Sequence, residues 1–179
     1  MPLRAKGGAA PWLRHLDETE RWLRPDRLSA RAGGALVSAG VGSVDVVIAI
    51  GSELFLAEFE DPTAPATCAR FRALLPYEDQ LIHARWSGEA CWIPLGGRDL
   101  GIGYENATSY PAPGQVIVYP GGVSETEILL AYGPTRFASK AGQLAGNHFL
   151  TIREDLDRLA QICRTVLWQG ATPITLRAA

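Results

Sequence analysis

Apolar and polar positions along this chain alternate in short runs, and the runs are separated by Gly, Pro and Ser. Residues 44–50 (V-D-V-V-I-A-I) and 54–59 (L-F-L-A-E-F) are rich in β-branched and aromatic side chains, with Gly51-Ser52 between them. That pattern predicts two strands joined as a hairpin. Further strands are predicted at 80–86 (Q-L-I-H-A-R-W), 89–93 (E-A-C-W-I), 115–119 (Q-V-I-V-Y), 127–132 (E-I-L-L-A-Y), 149–152 (F-L-T-I) and 173–176 (P-I-T-L). The turn Ser87-Gly88 and the segment Pro120-Gly121-Gly122 punctuate them. Residues 96–114 are rich in Gly, Pro and polar side chains and read as a long connection, and residues 134–147 mix Gly, Ser and polar groups.

Two helices stand out against this β pattern. Thr63 or Ala64 can cap the first, Pro65 suits its first turn, and Pro76 stops it. Its apolar face is Phe71, Leu74 and Leu75, with Thr67 and Cys68 one turn earlier. In the second, Thr151-x-x-Glu154 matches a capping box, with Thr151 as N-cap. Leu156, Leu159, Cys163, Val166 and Leu167 follow at helical spacing, and Gly170 is a natural stop. Many short strands and two helices predict a mainly β fold, an antiparallel barrel or sandwich with flanking helices.

Charge divides the chain at residue 43. Residues 1–43 carry seven basic and four acidic side chains, net +3, so the −2 of the whole chain leaves −5 for residues 44–179. The first part reads as an extension of little defined structure, with a short amphipathic helix at 11–24 and an Ala/Gly linker at 29–42. Residues 44–179 read as one domain. The net charge gives no case for nucleic acid or an anionic membrane surface, and no apolar run is long enough to span a bilayer. Cys68, Cys91 and Cys163 form no C-x-x-C pair, which predicts buried thiols in a reducing compartment. Residues 1–20 hold six charged side chains and no apolar signal segment, so a cytoplasmic location is expected and the sequon at Asn106 reads as idle.

At this point the chain resembles the cyclophilin-like superfamily. The pattern T-x-P-x-T-x-x-x-F-R-A-L-L at 63–75 is similar to the first cyclophilin helix, which follows an N-terminal hairpin and plugs one end of an eight-stranded barrel. Residues 83–95 (H-A-R-W-S-G-E-A-C-W-I-P-L), 105–128 (E-N-A-T-S-Y-P-A-P-G-Q-V-I-V-Y-P-G-G-V-S-E-T-E-I) and 132–149 (Y-G-P-T-R-F-A-S-K-A-G-Q-L-A-G-N-H-F) resemble a bacterial cyclophilin-like family of unknown function. The resemblance implies a closed or nearly closed antiparallel barrel and no known reaction. Residues 90–94 read A-C-W-I-P where prolyl isomerases carry Q-x-G-G, so isomerisation ranks behind other readings.

Three polar clusters are candidates for the site. His83, Arg85, Trp86 and Glu89 lie together in the chain, and on a strand His83 and Arg85 would share one face. Arg85 could anchor a carboxylate bidentately, with Trp86 or Trp92 as an apolar wall. A strand with a solvated polar face explains the same residues. The second cluster is Glu105, Asn106, Ser109 and Tyr110 on the long connection, where a turn capped by Asn106 is the alternative. The third is Glu125, Glu127, Arg136, Ser139, Lys140, Gln143, Asn147 and His148, which offers a general base or an ion-pair network. His83 and His148 have no metal-motif spacing to any Glu, and no cofactor or metal is expected.

The reading that results is a barrel binding a small anionic or amide-bearing ligand at its mouth. An enzyme acting on such a molecule is the second reading. A partner-binding barrel or prolyl isomerase is the third. Homo-oligomerisation is left open.

Overall fold

A computed structural model of the chain describes residues 44–179. The expected extension, with its helix at 11–24, lies outside the described residues. In order, the elements are β1 (Val46–Ile50), β2 (Glu53–Phe59), α1 (Pro65–Leu74), β3 (Tyr77–His83), β4 (Gly88–Gly96), β5 (Ala107–Thr108) and β6 (Gln115–Tyr119). They are followed by β7 (Thr126–Thr135), β8 (Ala138–Ser139), β9 (Gly142–Gln143), β10 (Gly146–Ile152), α2 (Leu156–Gln169) and β11 (Thr172–Ala178).

Eight of these strands close a barrel in the order β2-β1-β11-β3-β4-β7-β6-β10, and β10 pairs back onto β2. Every pairing is antiparallel. The expected mainly β fold, a closed antiparallel barrel with flanking helices, is the one observed. An eight-stranded barrel is just wide enough for its interior to be filled by side chains. Val46, Ile48 and Ile50 of β1 and Phe55, Ala57 and Phe59 of β2 alternate into that interior.

The helices lie at opposite ends. α1 links the end of β2 to the start of β3, and α2 links the end of β10 to the start of β11. β2 and β10 run antiparallel, so these two ends are opposite. α1 buries Thr67, Cys68 and Phe71, and the Phe71 ring stacks on Phe149 of β10 at 4.1 Å. α2 buries Leu159, Ala160, Cys163 and Val166 and packs on β3, β4 and β7. All three cysteines are buried free thiols.

A second apolar cluster covers the outer face of β4, β7 and β6. There Phe137 and Leu144, flanking the β8–β9 hairpin, pack on Ile117, Tyr119 and Leu129. Phe137 and Leu144 come from residues 134–147, the segment that mixes Gly, Ser and polar groups.

Two local expectations need correction. Thr151 is not the N-cap of the last helix. It pairs with Glu58 and Gln115 as part of β10. The helix starts at Leu156 after Asp155, which is left-handed (φ 57) and makes no side-chain cap. Strand pairing on both sides of β10 outcompetes the capping box. The strand expected at 80–86 is also displaced. β3 ends at His83, and Arg85 and Trp86 belong to the following turn, which the Ala84 N–H closes on the Ala90 carbonyl at 2.9 Å.

Candidate functional site

The long connection folds onto the α1 end of the barrel. The Glu105 carboxylate accepts the Thr67 N–H at 2.5 Å, in the first turn of α1. Burial alone would raise its pKa, but hydrogen bonds from Thr67 and Ala66 hold it below the usual carboxylate range. Asn147 is fully buried and holds the loop. Its Oδ1 accepts the Glu105 N–H at 3.1 Å, and its Nδ2 donates to Thr67 Oγ1 at 3.0 Å and to the Gly103 carbonyl at 2.8 Å.

Asn106 sits at φ 45, a left-handed conformation that Asn tolerates better than most residues. Rather than capping its own turn, its Nδ2 donates to Thr63 Oγ1 at 2.9 Å and to the His148 carbonyl at 2.8 Å. The His148 Nε2 lies 2.8 Å from Thr151 Oγ1, and that hydroxyl donates to Glu60 Oε1 at 2.5 Å. Burial lowers the His148 pKa, opposed by the nearby Glu60 charge. Arg153 closes the line with Glu58 at 2.5 Å and Glu60 at 3.5 Å. Glu105, Asn106, Asn147 and His148 are therefore brought together by hydrogen bonds to their neighbours. A network of this kind holds loops in place.

The α2 end is built differently. Tyr132 on β7 donates its hydroxyl to His83 Nε2 at 2.7 Å, and His83 Nδ1 bonds the Ala84 carbonyl at 2.8 Å. Burial pushes the Tyr132 phenol up to about 12, which keeps it a donor. Arg164 of α2 lies 3.6 Å from Glu89 and 6.0 Å from the Tyr132 ring centre. A Cβ on Gly133 would meet the Glu89 side chain, which would have to shift.

Beside this group the β3–β4 turn exposes Arg85 and Trp86, the latter 62% accessible. The turn is tied to the β8–β9 hairpin. Ser87 Oγ donates to the Ala138 carbonyl at 3.1 Å and accepts the Ala138 N–H, while the Ser87 carbonyl accepts the Arg136 N–H at 3.1 Å. The same segment carries exposed Arg136, Lys140 and Gln143. The Ser109 carbonyl accepts the Phe137 N–H at 2.7 Å, which puts exposed Tyr110 next in the chain. Arg85, Arg136 and Lys140 make no ion pair among the described residues.

Three candidates fall in neither group. Trp92 is half-buried in the outer-face cluster. Glu125 is exposed in the β6–β7 turn, and Glu127 is buried on β7. The candidates do not share one cavity: β3 runs opposite to β2, so the turn holding Arg85 is at the far end from Thr63 and Asn106. A groove of about 310 Å³ lined by Leu75, Pro76, Glu78, Arg177 and Ala178 includes none of them. Among the described residues no three His, Cys, Asp or Glu side chains gather to hold a metal, and no helix is long and apolar enough to cross a membrane.

The sequence model of the family described as "Protein of unknown function (DUF3830)" matches residues 46–178. The chain belongs to that family. None of the curated proteins matches it. Two solved structures share the fold of this DUF3830 chain. One is described as McbB in complex with tryptophan, with a TM-score of 0.55 and 16% identity over 74% of this chain; the match spans 44% of McbB. The other is the solution structure of the hypothetical protein AF2241 from Archaeoglobus fulgidus, with a TM-score of 0.52 and 17% identity over 80% of this chain and all of that one.

Sequence reading missed several members of these groups in the DUF3830 chain. Tyr132 ends an apolar run, and only strand alternation hints at its partner 49 residues earlier. Glu60 and Arg164 carry no local signal, and the local signals at Thr67 and Thr151 point to helix positions rather than to these partners.

Proposed function

We propose that the chain binds a small anionic or amide-bearing ligand beside the α2 end of the barrel. Arg85 is the anchor, Trp86 the apolar wall, and Arg136 and Lys140 supply further positive potential. One observation carries this reading: three exposed cations without an ion-pair partner among the described residues lie on the β3–β4 turn and the hairpin tied to it. A guanidinium with free donors beside an exposed indole suits a planar carboxylate or amide. At the α1 end, by contrast, Glu105, Asn106, Asn147 and His148 bond to neighbouring groups. McbB, which shares the fold, was solved with tryptophan, a carboxylate-bearing ligand. The helix-plugged barrel and the motif at 63–75 support a cyclophilin-like assignment within the same proposal. The family match at 46–178 supports taking 44–179 as the binding domain and 1–43 as an extension.

The test is a thermal-shift screen with small carboxylates, amides and tryptophan. A ligand at about 100 times its Kd should add roughly 2.7 kcal/mol of stability. Arg85→Ala should weaken binding by roughly 10- to 100-fold, the worth of about 1.5–3 kcal/mol for a charged hydrogen bond. A full shift in the Arg85→Ala protein would remove Arg85 as anchor.

A second reading, a partner-binding barrel, is favoured by α2, which exposes Leu167 (54%) and Trp168 (85%). Sedimentation of the wild type and of Trp168→Glu over a concentration series distinguishes self-association from a monomer.

A further inference from the structure

β3 ends at His83, which pairs with Cys91 of β4. Just beyond that pair the Ala84 N–H closes on the Ala90 carbonyl at 2.9 Å, so Ala84 and Ala90 form the base of the turn. Arg85 and Trp86 stand on it, exposed. Two side chains tie this turn to the rest of the barrel. Further along it, Ser87 bonds the N–H and the carbonyl of Ala138. At its base, His83 Nδ1 bonds the Ala84 carbonyl at 2.8 Å.

The second tie fixes where the protons are. A carbonyl only accepts, so His83 carries a proton on Nδ1. In the neutral ring Nε2 is then an acceptor. Tyr132 Oη lies 2.7 Å from it, and burial, which pushes this phenol up to about 12, keeps it a donor. Tyr132 is buried in the main core, and His83 is half-buried at its edge. A line of hydrogen bonds therefore leads from a core phenol through an imidazole to the turn backbone, one residue before Arg85. The phenol selects the tautomer, and the tautomer supplies the donor that holds the Ala84 carbonyl.

We propose that His83, oriented by Tyr132, is the positioning residue of the anion site, its Nδ1–H setting the turn that presents Arg85 and Trp86. This role rests on the reading of Arg85 as anchor, while the hold on the turn is measurable without a ligand. Two substitutions separate the hydrogen bond from packing. An Asn amide nitrogen reaches the place of Nδ1, and a Gln amide nitrogen that of Nε2. His83→Gln keeps more volume and a partner for Tyr132 but loses the donor to Ala84. His83→Asn keeps that donor and gives up volume. Packing alone makes Gln the better substitute, and positioning through Nδ1 makes Asn the better one.

Imidazole nitrogen NMR, amide exchange at Ala84 and calorimetry with sodium benzoate test it. Above about pH 8, where an imidazole is neutral, the wild-type His83 proton should sit on Nδ1, and Tyr132→Phe should move it toward Nε2. In His83→Gln the Ala84 amide should exchange roughly 3- to 10-fold faster and benzoate should bind weaker by a similar factor, the worth of one hydrogen bond. His83→Asn should lie closer to the wild type on both measures. A wild-type ring protonated at Nε2, unchanged Ala84 exchange in His83→Gln, or an Asn variant no better than the Gln variant would each overturn the proposal. No benzoate binding by the wild type, or full binding by Arg85→Ala, would overturn the anion reading and the role at that site with it, whereas Ala84 exchange still decides whether His83 holds the turn.

Discussion

Glu105 caps α1 from 38 residues away, its carboxylate accepting the Thr67 N–H at 2.5 Å. The residue at the cap position itself is Ala64, which has no side-chain acceptor to offer. The helix therefore depends on the long connection for its terminal donors and for the negative charge its N-terminus favours. Glu105→Ala should cost about 1 kcal/mol, the usual worth of a lost cap. The Glu105 pKa is depressed on folding, so its charged contribution is present above the ordinary carboxylate pKa and is lost as pH falls through the folded value. Urea titrations at neutral pH and near pH 3 should show the mutant and wild type converging on the acid side.

Asn147 joins three segments with one amide, and it is fully buried. Asn147→Leu keeps much of its volume but strands the Glu105 N–H and the Gly103 carbonyl. Leaving such groups unsatisfied costs on the order of 1–3 kcal/mol each, so a loss of about 2–4 kcal/mol is expected. Asn147→Asp should be worse at neutral pH, because it loses both donors and buries a charge beside Glu105. An unchanged denaturant slope with a lower midpoint is the signature to measure.

These two relationships mark the limit of what the chain reveals before folding. Where the information is local, the reading holds: residues 115–119 were expected as a strand and are β6, and Pro65 opens α1. Alternation and punctuation carry that information. β5, β8 and β9 are two residues long and contain no period to detect. Thr151 fits a capping box locally, yet two neighbouring strands decide its conformation. The partners of Asn106 and Asn147 are 42 to 80 residues away, and only barrel closure selects them. Polar residue types could be nominated from sequence. Their division between a hydrogen-bonded network at one end and cations without an ion pair among the described residues at the other could not.

Gly114 ends the Pro-rich loop at φ 87, with its N–H on the Ala131 carbonyl and its carbonyl accepting the Ile152 N–H, both at 2.8 Å. A Cβ there would press on the Ile152 carbonyl and on Leu156 Cδ2 at 2.8 Å. Backbone atoms held in two strand pairings cannot move aside cheaply. Gly114→Ala should lose at least about 2 kcal/mol, combining left-handed strain of order 1–3 kcal/mol with the clash. Gly97→Ala is the control, since nothing lies within 4 Å of its added carbon. It should unfold within about 0.5 kcal/mol of the wild type.

Glu127 should give the barrel a stability that declines with rising pH. Burial, reinforced by the Glu125 charge, raises its pKa from the ordinary 4.5 to about 7. The folded state thus binds more protons than the unfolded chain between those values. The benefit is complete below about 4.5 and is lost as pH rises through about 7. A shift of this size corresponds to roughly 3 kcal/mol at most. His148, whose pKa burial lowers, acts in the opposite sense on the acid side of its ordinary 6.5, so the raw profile mixes the two. The difference between wild type and Glu127→Gln isolates Glu127. The variant should be nearly equal to the wild type near pH 4.5 and more stable by up to roughly 3 kcal/mol near pH 8. A difference that stays flat from pH 4.5 to 8 would show that Glu127 keeps its ordinary pKa in the folded protein.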